Sequence, residues 1–347
     1  MKKYNNKIDV IIPAYNTPEL ILARCLSSIA CQSIVNDIKV TIVDDASELE
    51  SYNTYLKVIE NFKDYLDIDI LRYEVNGGPG VARQYGLDHT ENGYVTFIDI
   101  DDTFNGAYAI QTLRTAIEFN GGIYCMSVGV FDEVHETGVP AGQGPIVMPH
   151  EQDMIWMFGK MYRRSFLDKY AIRFHPTSRA NEDNGFNTII RLISNEQEQI
   201  NFIPAHVYYW HENLTSITRN NNCQYSYGGS DRDSFYGYVE NMIYAVTEAR
   251  KRNPYNGMIT RWAVSCMIHI YEYYIEVYAR ANEHAENNFK WCKRYYDEVF
   301  KDLEKTLPRE IIAQHYNEVM RNAYMGNKLD GIIPHIDIFQ FLESLKK

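Results

Sequence analysis

The chain has 347 residues, 34 of them basic and 46 acidic, for a formal charge of −12, with 45% apolar and 23% charged side chains. At roughly 100–200 residues per domain, that length holds one large domain or a domain with an appendage, and the composition excludes a chain that is mainly disordered. No stretch approaches the roughly 18 consecutive apolar residues of a membrane span, the polar start Met1–Asp9 has no signal-peptide apolar region, and the acidic balance argues against binding nucleic acid chiefly through charge.

From Lys7 to about Tyr108, strands and helices alternate. Asp9–Pro13 is an apolar run stopped by proline, as a buried strand is; Leu20–Ala30 has apolar residues at helical spacing, with Pro18 and Glu19 suited to a first turn. Lys39–Val43 reads as the second strand, Tyr52–Phe62 as helix, Ile68–Tyr73 as the third strand, then a glycine turn and a helix from about Gly80. Tyr94–Ile98 is the fourth strand. This alternation predicts a mostly parallel sheet with helices on both faces, and such sheets bind ligands beyond the carboxyl ends of their strands. Between about Asn120 and Ala205 short strands mix with glycine-rich loops, notably Thr137–Pro149, and Phe186–Ile193 reads as an apolar helix. Past about Asn220 long tyrosine-rich helical stretches follow, Arg261–Ala281 and Phe289–Leu307, whose aromatic positions read as helix-packing core. The expected division is a catalytic domain over 1–220 and a helical region over 221–347. The six cysteines (Cys25, Cys31, Cys125, Cys223, Cys266, Cys292) form no CxxC pair, so they read as buried thiols of a reducing cytoplasm.

The chemistry sits at strand ends. The first strand runs into Pro13-Ala14-Tyr15-Asn16 and the second into Asp44-Asp45-Ala46-Ser47. A tyrosine face stacks on a nucleobase and a carboxylate accepts from a ring N–H, although Asn, Asp and Ser are also ordinary helix caps. The turn Asn76-Gly77-Gly78-Pro79-Gly80 leads into a helix, where backbone amides and the helix dipole favour a diphosphate. Gly78 and Gly80 are spaced like the start of a dinucleotide fingerprint, with Asp99 about twenty residues on. The bulky Arg83 at the third position, and the place of the turn after the third strand, argue against that reading. Phe97-Ile98-Asp99-Ile100-Asp101-Asp102 puts three carboxylates at a strand end, where a cation must neutralise them; oxygen ligands suit Mg²⁺ or Mn²⁺. Asp67-Ile68-Asp69 has the same spacing but begins a strand, and Asp231-Arg232-Asp233 follows none. Glu182-Asp183 precedes an apolar helix and reads equally as a stabilising acidic first turn or as a general base. His211, just past the aromatic run Val207–Trp210, is a structural histidine or a nitrogen ligand for Mn²⁺.

Taken in order, IIPAYN, VDDAS, NGGPGVARQYGL, FIDIDD, GKMYRRSFL, NEDNGF and YYWHENLTS resemble the family 2 glycosyltransferases of GT-A fold over roughly residues 7–220. The resemblance implies an α/β domain that binds a UDP-sugar. It gives the base-binding role to Pro13, Tyr15, Asn16 and Asp45, with Asp44 close by. Gly77, Gly78 and Arg83 would meet the nucleotide, in a motif that ends Ala-Arg-Gln where the family usually has Ala-Arg-Asn. Asp99, Ile100 and Asp101 would contact ribose and sugar, Ile100 replacing a small residue common there. Asp101 and Asp102 would hold the metal, His211 would touch the metal or the diphosphate, Glu182 would line the donor pocket, and Asp183 matches the catalytic base. The reaction implied is a single in-line displacement that inverts the anomeric centre, assisted by Mn²⁺ or Mg²⁺.

Two other classes stand against this reading. A sugar nucleotidyltransferase needs a glycine-arginine loop with a lysine after the first strand, and Ala14–Leu20 offers neither. A silent glycan- or nucleotide-binding relic is opposed by the intact acids Asp101, Asp102 and Asp183. Family frequency favours an acceptor hydroxyl in surface polysaccharide; hydroxymethylated DNA is the lesser alternative, since Lys251-Arg252, Arg261 and Lys293-Arg294 make no continuous phosphate track.

Overall fold

The computed structural model describes residues 4–134, 154–212, 234–280, 285–325, 329 and 331–347. Thr137–Pro149, Asn213–Ser216, Cys223 and Asp231–Asp233 lie outside them. The chain forms two compact units, one of residues 1–177 and 194–216, the other of residues 178–193 and 217–347. The segment 178–193, which carries Glu182 and Asp183, thus packs with the helical region.

The first unit is built on β1 (Ile8–Ala14), α1 (Glu19–Ala30), β2 (Ile38–Asp44), α2 (Leu49–Phe62), β3 (Asp67–Arg72), α3 (Pro79–Asp88), β4 (Tyr94–Phe97), β5 (Thr103–Phe104), α4 (Ala109–Gly122), β6 (Tyr124–Val134), β7 (Lys160–Arg163) and α5 (Arg164–Lys169). In the second unit α6 spans Glu182–Ile193, after which β8 (Gln199–His211) returns to the first. The eight strands form one sheet in the order β3-β2-β1-β4-β7-β6-β8-β5. β3, β2, β1 and β4 are parallel neighbours, as the alternating elements predict. β7 runs antiparallel to both β4 and β6, and β5 antiparallel to β8. Two strands in the middle region are long: β6 has 11 residues and β8 has 13. Aromatic and β-branched residues in these segments suit a pleated surface, although Gly129 in β6 and Pro204 in β8 interrupt the pattern in the sequence. β1 is buried along its whole length. Its Ile8, Val10 and Ile12 join Leu22, Leu26 and Ile29 of α1 and Tyr55, Val58 and Ile59 of α2 in the core.

The second unit continues with α7 (Ser234–Arg252), α8 (Gly257–Arg280), α9 (Ala285–Tyr295), α10 (Lys301–Glu304), α11 (Arg309–Met325) and α12 (Ile338–Leu345). The expected helix Phe289–Leu307 is interrupted by a π turn at Tyr296–Phe300. Tyr271, Tyr295 and Tyr296 are buried, so these aromatics do serve as core. No helix among the described residues is long and apolar enough to cross a membrane. Of the five described cysteines all are unpaired, and Cys31 is exposed rather than buried.

Candidate active site

The two loops after β1 and β2 do not cap their own helices; they bind each other. The N–H of Asn16 donates to Ser47 Oγ (2.9 Å) and the N–H of Glu48 to Asn16 Oδ1 (2.8 Å). The N–H of Thr17 donates to Tyr55 Oη at 2.6 Å. Pro13 lies inside β1 opposite Val43, while Tyr15 is left 48% exposed with its ring available for stacking. Asp44 is fully buried and ion-paired to Arg72 at 2.8 Å, bracing β2 against β3.

Asp45 takes the anion's place at the glycine turn. Its carboxylate accepts from the amides of Gly77 (2.6 Å) and Gly78 (2.8 Å), from Tyr73 Oη (2.7 Å) and from Asn76 Nδ2 (3.1 Å). Gly78 has φ of +88°, which glycine adopts without steric cost, and α3 starts at Pro79 directly after it. The sequence expectation for this turn is a diphosphate; in the structure the two amides serve an internal carboxylate, that of Asp45. Arg83 is likewise committed: its guanidinium pairs with Asp99 at 2.5 Å and is 5% exposed.

The three acids beyond β4 are held differently. Asp99 is 30% exposed and ion-paired to Arg83; Ile100 packs on the core cluster. Asp101 is half-buried, and its carbonyl accepts from Arg24. Asp102 is 1% exposed, with one oxygen accepting from Tyr208 Oη (2.7 Å) and the other from the His211 N–H (2.8 Å). Burial, and then the charges of Asp101 and Asp99, push its carboxyl well above the usual range, against those two hydrogen bonds. Asp102 thus differs from the expected metal ligand: it ties the acidic loop to β8. The His211 ring lies 2.8 Å from Thr103 Oγ1. Burial, helped by the positive charge of Arg24, lowers its pKa to about 4, so the ring is neutral at pH 7.

Among the described residues no three His, Cys, Asp or Glu side chains converge as a metal cage. Magnesium-type sites commonly use one or two carboxylates and complete the shell with water and substrate phosphate. Asp99 and Asp101, at the end of β4 and short of full burial, fit that donor set; Asp102 does not.

Sequence reasoning missed the residues that hold this loop. Arg24 and Ser28, one turn apart on α1, and Gln32, just past its end, grip it in succession. Arg24 donates to the Asp101 carbonyl, the Phe104 N–H donates to Ser28 Oγ (3.2 Å), and Gln32 donates to the Gly106 carbonyl (2.8 Å) while accepting from the Ile110 N–H (3.1 Å). Their spacing is visible in the sequence; their partner, about 75 residues away, is not.

In the second unit, Glu182 and Asp183 form the first turn of α6. Glu182 is buried and Asp183 half-buried, and Asp183 Oδ1 accepts from the next N–H at 2.7 Å. The helix begins four residues earlier than the apolar run Phe186–Ile193 indicates, because the acids themselves are its favourable N-terminal residues.

Residues 9–179 match the model of the family described as Glycosyl transferase family 2. Over those residues, about half of its length, the chain belongs to that family. It is 26% identical over 261 residues to the poly(ribitol-phosphate) beta-glucosyltransferase of Bacillus spizizenii, covering 71% of this chain and 38% of that protein. It is 29% identical over 193 residues to the succinoglycan biosynthesis protein ExoW of Rhizobium meliloti, covering 49% of this chain and 59% of that one. Less than two thirds of each relative's length is spanned. Among solved structures, residues 1–349 of Staphylococcus aureus TarS in complex with UDP resemble it with a TM-score of 0.61 at 19% identity, over 92% of both chains. That likeness shows the GT-A fold and, at 92% coverage, extends past residue 220 into the helical region.

Proposed function

We propose that this family 2 transferase moves a sugar from a UDP-sugar to a hydroxyl of a glycan-type acceptor during synthesis of a cell-surface polymer, with inversion at the anomeric carbon. The observation that carries the reading is the acidic loop Asp99–Asp102 beyond the carboxyl end of β4, where Asp99 and Asp101 stand short of full burial and ligands of such sheets bind. UDP and UDP-GlcNAc are bound by TarS, and relatives named for poly(ribitol-phosphate) and succinoglycan support a surface-polymer acceptor. The unpaired cysteines agree with a cytoplasmic setting.

The exposed Tyr15 ring is assigned the nucleobase, with Asn16 beside it. Asp45 is assigned the glycine turn's shape, and through it the path of α3 and Arg83. A Mn²⁺ or Mg²⁺ held by Asp101, with Asp99, would act as a Lewis acid on the departing diphosphate. Arg83 and Arg24 keep positive charge beside the acidic loop, where charge grows on the leaving group. Asp183 is assigned the acceptor hydroxyl's proton, a step typically worth about 10²–10⁴-fold.

The test is UDP release from UDP-GlcNAc and UDP-glucose, with Mn²⁺ and with excess EDTA, followed by product mass with poly(ribitol phosphate) as acceptor. Metal-dependent UDP release is expected. A chain that neither binds UDP nor releases it from either donor refutes the proposal.

A further inference from the structure

Within the helical unit, α7 grips the segment that leads into Asp183. Asn241 is fully buried, and its amide nitrogen lies 2.8 Å from Ser178 Oγ, 2.9 Å from the Ala180 carbonyl and 2.9 Å from the Gly237 carbonyl of its own helix. Ser178 Oγ in turn donates to the Ala180 carbonyl at 2.9 Å. One turn earlier on α7, Gly237 lies so near this segment that a Cβ there would be 2.5 Å from the Ala180 carbonyl oxygen. One turn into α6, a Cβ on Gly185 would meet Asn241 Oδ1 at 2.5 Å. Two glycines, one on each helix, thus bring α6 and α7 to close approach, and Asn241 fills the place between them. Asn181 follows with φ of +58°, a left-handed conformation that needs outside support in a non-glycine residue, and Glu182 and Asp183 come next.

We propose that Asn241 is a positioning residue for Asp183: by tying Ser178 and Ala180 to α7 it fixes the turn from which the Asp183 carboxylate is presented. This gives the helical region beyond residue 220 a part in the reaction, and it rests on the reading of Asp183 as the base. A base must be held close to its reacting geometry, since a displacement of about 1 Å can cost about 10²-fold. Loosening the anchor therefore belongs in kcat, and it should cost nothing once the carboxylate is gone.

The experiment is a double-mutant cycle on the full chain, with UDP release from UDP-GlcNAc and UDP-glucose as the readout. Asn241→Ala is expected to lower kcat about 10- to 100-fold while leaving the donor KM within about twofold, and to cause no further loss in an Asp183→Asn background. Ser178→Ala, which deletes one of the anchor's acceptors and leaves α7 intact, is expected to show the same pattern more weakly; it decides the matter if Asn241→Ala does not fold. Wild-type kcat in both variants overturns the proposal. So does a loss that persists undiminished alongside Asp183→Asn, because Asn241 then acts through something else. Wild-type turnover in Asp183→Asn alone, or no UDP release by the wild-type chain, overturns the base or the transferase reading first, and this proposal with it.

Discussion

Removing one member of the buried pair Asp9–Arg164 should destabilise the first unit far more than removing both. Asp9, in β1, and Arg164, at the start of α5, are 0% and 2% exposed and lie 3.2 Å apart. Asp9 also accepts from the Asn92 N–H (2.9 Å) and side chain (2.6 Å), and Arg164 donates to the Leu87 carbonyl (2.7 Å) and Thr90 Oγ1 (2.6 Å). Burial raises the Asp9 carboxyl and lowers the Arg164 guanidinium, in both cases against the other's attraction. Desolvation thus exceeds the Coulombic gain, the regime in which an ion pair adds little net stability but an orphaned member is costly. Asp9→Asn or Arg164→Met should each cost about 3–5 kcal/mol, which for a unit of about 200 residues lowers the melting temperature by roughly 6–20 °C. Asp9→Leu/Arg164→Met should fall much closer to wild type. Urea and thermal unfolding followed by circular dichroism measure all three. The reasoning fails if the single variants lose less than about 1 kcal/mol, or if the double variant loses their sum. The pair also pins the end of α3, so the single variants should loosen the Arg83–Asp99 contact as well.

Asp101→Asn should weaken Mn²⁺-dependent UDP binding by calorimetry at least about tenfold, the scale of a charge-assisted contact, and leave metal-free binding little changed; equal binding with and without Mn²⁺ would move the metal role to Asp99. His211 titrates near pH 4 folded against about 6.5 unfolded, so the unfolded chain takes up the proton first and stability should fall as pH drops from about 6.5 toward 4. His211→Gln should flatten that part of the profile, read by urea midpoints between pH 7.5 and 4.5. Gly185→Ala should cost about 1–3 kcal/mol by overpacking α6 against α7, because the added methyl meets Asn241; a melting temperature equal to wild type would mean the two helices can part at little cost.

The parallel half of the sheet was legible because each of its strands is a short apolar run between helical repeats, and burial on both faces leaves that mark on neighbouring residues. The acidic motif, the glycine turn and Asp183 were legible for the same local reason: strand ends and helix starts need particular residue types at fixed offsets. What each carboxylate does was not legible. Asp44, Asp45, Asp99 and Asp102 look alike in the sequence, yet Arg72, the Gly77 and Gly78 amides, Arg83 and Tyr208 respectively take them up. Those partners stand up to 106 residues away, and whether an acid is open to a ligand depends on which of its oxygens the fold has already used. The antiparallel insertion of β7, the hold of Arg24 in α1 on the acidic loop and the packing of 178–193 with the helical unit are likewise products of long-range contact. The sequence by itself determined the kinds of chemistry this chain carries and the elements that carry them; tertiary structure decided which of those groups remain to act, because burial and hydrogen bonding are settled between segments that are neighbours only after folding.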